Sequence, residues 1–292
     1  SSTVESRLVF EMLMEDLSSL GTGHAHHYEL RAIRVEDGKG SLQDAAQPSD
    51  FIVRAEAFGV PQRRHRVIIV GIRSDLAGRA ADAEIAVSGM ARTVRDVIET
   101  MPALRSGISR GRDDAAAWRG EVLDAAKLLA GISKGKEKRA LREAFLTVSE
   151  RVQENPPTVR AASRLPDGYG TSNDELLQWI ERPELRAIAQ HETRGHMASD
   201  LGRYLFAAVF GTVRGYSPKA ADFPLVLSPD HRNWHSGLFN DRFRVQLADE
   251  ASTTVTSHIS KDGHYFIHPD PIQCRSLTVR EAGRMQTFPD DY

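Results

Sequence analysis

Gln62, Arg64 and Arg66 stand in the run Gly59-Val60-Pro61-Gln62-Arg63-Arg64-His65-Arg66, which leads directly into Val67-Ile68-Ile69-Val70-Gly71. Arginine presents a planar fork that suits phosphate oxygens and the edges of nucleic-acid bases, and a strand behind it fixes its direction. Charge alone favours a plainer reading, a solvated basic turn ahead of a strand. A second run, RSLTVREAGRMQTFP from Arg275 to Pro289, sets Thr278 three residues before Glu281. That is the spacing of a capping box, and the helix must end before Pro289. Its bland reading is a short amphipathic surface helix. A third group is polar: Arg232, Asn233, Arg242 and Arg244 in one stretch, then Thr254, Thr256, His258 and Lys261 in the next. Such groups donate to phosphates and base edges, and they equally make an ordinary polar loop and strand face.

Four features resemble sites more than their context supports. His191 and His196 in HETRGH are one residue too far apart for two zinc ligands on one helical face. Gly21 and Gly23 in DLSSLGTG follow a helical pattern, so they read as its stop and not as a nucleotide loop. Cys274 reads as a buried small residue. Lys134, Lys136, Lys138 and Arg139 read as a solvated helix end.

The elements that must position these groups follow from periodicity. Residues 4–20 carry Val4, Leu8, Met12 and Leu13 at helical spacing. Residues 28–35 alternate as a strand, and the polar stretch 36–50 reads as a loop. The β-branched run RVIIVGI suits a strand buried on both faces of a parallel or mixed sheet. Helices are expected near 93–100, over 114–131, 137–153, 174–190 and 197–210, and near 278–286. FRVQL, STTVTSH and HYFIH read as short strands.

Composition sets the outer bounds. The chain has 292 residues and a formal net charge of -2, so no global basic signal points to nucleic acid. One cysteine excludes an internal disulfide and agrees with a reducing compartment. No apolar run reaches the roughly 20 residues that span a bilayer. The chain opens on Ser1 without a methionine, as expected of a piece cut from a longer protein or of a processed start.

GVPQRRHRVIIVGIR is similar to the Gln-x-Arg-x-Arg motif of cytosine-5 DNA methyltransferases, with Gln62, Arg64 and Arg66 at the motif positions. RSLTVREAGRMQTFP resembles the family's ninth motif and matches it at Arg275, Thr278, Glu281, Arg284, Phe288 and Pro289. It departs at Gly283, where alanine is more usual, at roughly 1 kcal/mol of helix propensity. The two segments cover about a tenth of the chain.

The resemblance implies an α/β fold: residues 1–75 as the distal part of a methyltransferase-like (Rossmann-type) sheet, 76–274 as a helical and stranded target-recognition region, and 275–292 returning to the catalytic domain. It implies methyl transfer from S-adenosylmethionine to C5 of cytosine in double-stranded DNA, by a bacterial, cytoplasmic, restriction–modification enzyme. Arg66 would contact the extrahelical cytosine near O2, Arg64 nearby backbone, and Gln62 would support the turn. Pro-Cys, Glu-Asn-Val, Phe-x-Gly-x-Gly and Gly-Asn-x-Val are absent. The expectation is therefore a fragment, or the recognition subunit of a split enzyme whose catalytic half is a separate chain. A non-catalytic DNA- or partner-binding module is the alternative.

Overall fold

The computed structural model describes residues 3–4, 7–20, 26–80, 83–87, 90–230, 234 and 241–292. The chain forms two compact units, Ser1–Ala91, where helices accompany antiparallel strands, and Arg92–Tyr292, which is mostly helical with short strand pairings.

The first unit begins with helix α1, Val9–Ser18. It is shorter than the apolar stripe predicts, because Arg7–Leu8 is extended and Ser19–Leu20 is drawn into a strand pairing with His26 and His27. Gly21 and Gly23, the expected stop, lie outside the described residues. The sheet is built on β1, His26–Glu36, which pairs antiparallel with β2, Lys39–Asp44.

The expectation of a loop over 36–50 is thereby overturned. Asp37 and Gly38 both have positive φ, 50° and 75°. A two-residue turn of that hand matches the natural twist of strands and closes a tight hairpin. Polarity misled because β2, though mostly half-buried, is built mainly of polar residues and glycine.

The run RVIIVGI also departs from expectation. It splits into β4, His65–Val67, pairing with β3, Ile52–Arg54, and β5, Val70–Arg73, pairing with β1. The chain changes partner where the Ile68 amide donates to the Phe51 carbonyl at 2.9 Å. All these pairings are antiparallel, and Val67 stays 60% exposed.

The second unit carries α2, Val94–Ile98, opened by a Thr93–Asp96 capping box. Next come a parallel pair of two-residue strands, Gly107–Ile108 with Gly195–His196, and the helical hairpin α3, Ala115–Ile132, and α4, Arg139–Glu154. Helix α5, Glu175–Ile180, stops well before residue 190 because Pro183 disfavours helical backbone at the residue before it.

Helix α6, Ala198–Arg214, is buried without a break from Asp200 to Gly211 and packs on α3 and α4. A helix enclosed all round is a core element. Trp118, Val122, Phe145, Leu201 and Tyr204 centre that core. A second cluster joins Val94, Val97, Ile180, Phe266, Leu277 and Met285.

The expected strands after Arg242 are only partly formed. Val245 and Ser276 each bridge Ile267, and Ser252–Thr253 is a two-residue strand followed by a 3-10 turn at Ser257–Ser260. Helix α7, Val279–Met285, forms where the capping box places it. No helix among the described residues is long and apolar enough to cross a membrane.

Candidate functional site

A 3-10 turn, Ala55–Phe58, ends at Gly59, whose φ of 80° is the left-handed conformation that glycine adopts without a Cβ clash. The amide of Val60 donates to the Ala55 carbonyl at 3.3 Å, so the chain reverses before Pro61. Beyond it the Ala55 amide donates to the Arg64 carbonyl at 3.1 Å, and Val53 faces Arg66 across the β3–β4 pair. Gln62, Arg64 and Arg66 therefore stand on one arm of a tight hairpin. His65, between the two arginines, bonds Glu56 through Nε2 at 2.7 Å.

The three motif side chains differ. Arg66 is exposed and donates only locally, to the His65 carbonyl at 2.7 Å. Arg64 is half-buried, and among the described residues no ion pair ties either guanidinium. Gln62 is fully buried, yet among the described residues neither end of its amide has a hydrogen-bond partner. Glu56 Oε2 is likewise buried and unpartnered. A buried polar group left unpaired costs about 1–3 kcal/mol. The turn thus holds, at a cost in stability, an amide that can both donate and accept.

The ninth-motif residues are far more enclosed. Arg275 grips Glu281 with two hydrogen bonds, Nη1 to Oε2 at 2.7 Å and Nη2 to Oε1 at 2.6 Å, and both side chains are fully buried. Its Nε donates to the Leu104 carbonyl at 3.2 Å. Glu281 Oε2 also accepts the Thr278 amide at 2.8 Å, while Thr278 Oγ1 accepts the Glu281 amide at 3.2 Å. Burial alone would raise the Glu281 carboxyl, but the charge and hydrogen bonds of Arg275 hold it well below the usual range. His268, 3.6 Å from Glu281, is pushed down to about 4 by burial and then by the charge of Arg275.

Arg284 is equally buried, donating to Asp290 from Nε at 3.1 Å and from Nη2, and to the Val97 carbonyl at 3.0 Å. Phe288 is 39% exposed and rests on Tyr292 with ring centroids 4.8 Å apart, while Pro289 offers its carbonyl to Arg280 at 3.2 Å. Sequence reasoning placed Arg280 in the motif but missed Asp290 and Gln273 as members of this network. Asp290 follows a proline outside any regular element, where no periodicity marks it as buried.

The third group is dispersed. Arg232 and Asn233 lie outside the described residues. Arg242 reaches Asp262 at 3.4 Å, next to exposed Lys261, and Arg244 pairs with Asp241. Thr256 and His258 are exposed at the 3-10 turn, His258 with its ring 5.8 Å from Tyr265, and Thr254 is half-buried. Arg242 also lines a cavity of about 450 Å³ with Asp200, Arg203, Trp234 and Phe243. No motif residue from 62 to 66 lines that cavity.

His191 and His196 are both buried and hydrogen-bonded, His191 Nε2 to the Pro102 carbonyl at 2.8 Å and His196 Nε2 to Ser276 Oγ at 3.2 Å. No group of metal-ligating side chains gathers among the described residues. Cys274 is buried, its thiol donating to the Leu201 carbonyl at 3.0 Å, and burial pushes that thiol up, away from the thiolate. It is no nucleophile as placed. The Gly-bearing strand-to-helix turn after Ile108 is filled by its own carboxylates, Asp114 capping α3 and Asp113 paired with Arg105 and Arg160.

The family model described as C-5 cytosine-specific DNA methylase matches residues 49–292. The chain is 32% identical over 254 residues to the type II methyltransferase M.Bpa9945I of Bacillus paralicheniformis, covering 86% of this chain and 44% of that protein. It is 41% identical over 54 residues to the type II methyltransferase M.AgeI of Thalassovita gelatinovora, 18% of this chain and 12% of that one. The chain thus spans less than half the length of these curated relatives. No solved structure matches.

Proposed function

The chain belongs to the C-5 cytosine-specific DNA methylase family, and from that premise we propose that it is the target-handling and DNA-recognising part of an enzyme that methylates C5 of cytosine in double-stranded DNA. The observation that carries this reading is the Gln62-Arg64-Arg66 hairpin, which lies inside the matched region and in which no ion pair ties Arg64 or Arg66 among the described residues. In this reading Arg66 contacts the extruded cytosine near O2, Arg64 holds neighbouring backbone, and Gln62 supports the turn. Residues 1–75 serve as the distal part of the Rossmann-type catalytic sheet, residues 76–274 as the recognition region, and residues 275–292 as the segment returning to the catalytic part. Arg242, Arg244, Thr254, Thr256, His258 and Lys261 contact DNA.

S-adenosylmethionine and the attacking thiolate enter from outside these 292 residues, since Cys274 is sealed and the strand-to-helix turn is self-filled. A bacterial cytoplasm and a restriction–modification role go with this reading. The experiment is complementation. The chain is mixed with a polypeptide carrying the Pro-Cys and Gly-rich segments, and transfer of labelled methyl to DNA is followed. Methylation only in the mixture supports the reading. Sequence-specific binding by the chain, with no methyl transfer in any mixture, supports a non-catalytic module instead.

A further inference from the structure

The chain has seven lysines, and three of them, Lys134, Lys136 and Lys138, crowd the link between α3 and α4. With Arg139 and Arg142 they make five cations within nine residues, against Glu137 alone, in a chain whose net charge is -2. All five cations are exposed. Arg139 pairs with Glu143 at 2.8 Å, but among the described residues no ion pair ties Lys134, Lys136, Lys138 or Arg142. The buried arginines of the same unit are answered by carboxylates, among them Arg92 by Asp174, Arg105 by Asp113, Arg203 by Asp200 and Arg275 by Glu281.

Lys136, Lys138 and Arg139 also sit at the start of α4, whereas Lys134 follows the end of α3. The start of a helix carries partial positive charge, so cations there are unfavourable and acids favourable. Thr93, Asp114, Asp174 and Thr278 cap four of the helices with side-chain oxygens, and α6, which starts from Met197 without such a cap, carries Asp200 in its first turn. Helix α4 instead starts from Lys138 with no side-chain cap and no acid in its first turn. Its tip is nevertheless held in place. Gly135 turns the chain with φ 96°, and Arg214 Nη2 donates to the Glu137 carbonyl at 2.7 Å. Leu129, Leu141, Phe145 and Val152 lock the two helices beneath it. Exposed lysines that no ion pair ties among the described residues, held on a firm base, fit a polyanion.

We propose that the α3–α4 tip is a second, sequence-independent contact for duplex DNA, with Lys134, Lys136 and Lys138 on backbone phosphates. The choice of DNA as the polyanion rests on the function proposed above. Lysine suits this task because it is a flexible point charge without the directional fork that reads a base.

The test is the binding of the full chain to a random-sequence 30-base-pair duplex across a salt series starting at low ionic strength. The variants are K134A/K136A/K138A and a charge-matched control, R164A/R186A/K219A, whose cations are exposed elsewhere. Each phosphate contact adds about 0.9 to the slope of log affinity against log salt, so the lysine variant should lower that slope by roughly two to three units. Its affinity should fall about tenfold or more at low salt, with the control near wild type. The thermal midpoint of the lysine variant should stay near wild type, since Lys136 and Lys138 leave a helix start while Lys134 leaves a helix end. Equal losses in both variants, an unchanged slope, or no DNA binding by the wild-type chain would overturn the proposal. Methyl transfer in the complementation mixture reads the family function separately, so a failure of the tip leaves that result standing.

Discussion

Arg275 is enclosed so completely that its charge must be answered inside the protein, and Glu281 answers it with both oxygens. Removing one member of a buried ion pair strands the other, at about 3–5 kcal/mol, whereas replacing both with apolar groups recovers much of the loss. Arg275→Ala should therefore destabilise the second unit by about that amount in chemical denaturation, and Arg275→Met with Glu281→Leu should regain part of it. A loss under about 1 kcal/mol in the single variant would mean the pair is not enclosed as described.

The same region sets the response to acid. Burial holds His196 down at about 3, and His268 lies at about 4, both below the ordinary histidine value of 6.5. The unfolded chain then binds more protons as pH drops below about 6.5, so this stability is present at neutral pH and lost progressively toward pH 3–4. Glu281, held low in the folded state, adds to the loss below about 4.5. Thermal midpoints should fall steadily from pH 7 to pH 5. A flat profile over that window would contradict the assignment of these histidines as buried and neutral.

At the scale of elements, what the sequence disclosed depended on whether the signal was local. The boxes at Thr93–Asp96 and Thr278–Glu281 were readable because both partners lie three residues apart. Asp37-Gly38 was equally local and was passed over, because the flanking strand is polar and resembles a loop. The fate of RVIIVGI was not local. Whether an apolar run is buried on two faces depends on its neighbours, and here the chain changes neighbours at Ile68. The site follows the same division. Gln62, Arg64 and Arg66 were found by their spacing, but the orphaned amide of Gln62 is a property of packing and could not be read.

The hairpin supplies a clean check. A side chain at Gly38, whose φ is 75°, meets open space but strains the backbone. Gly38→Val should cost roughly 1–2 kcal/mol. An unchanged midpoint in thermal unfolding would show that the turn does not hold this conformation.

For the whole molecule, the decisive facts are that family membership covers residues 49–292 and that the chain spans 44% of its relative M.Bpa9945I. The second unit holds the larger apolar core and the buried arginine network, while the first presents the hairpin. The central claim is that Arg66 on that hairpin holds the target cytosine during methylation. The measurement that tests it most directly is the rate of labelled methyl transfer to duplex DNA by the reconstituted enzyme, with the wild-type chain and with Arg66→Ala. The account predicts robust transfer with the first and a fall of roughly 100-fold or more with the second, the scale expected when one positioned charged donor is lost. Equal rates from the two chains would contradict it.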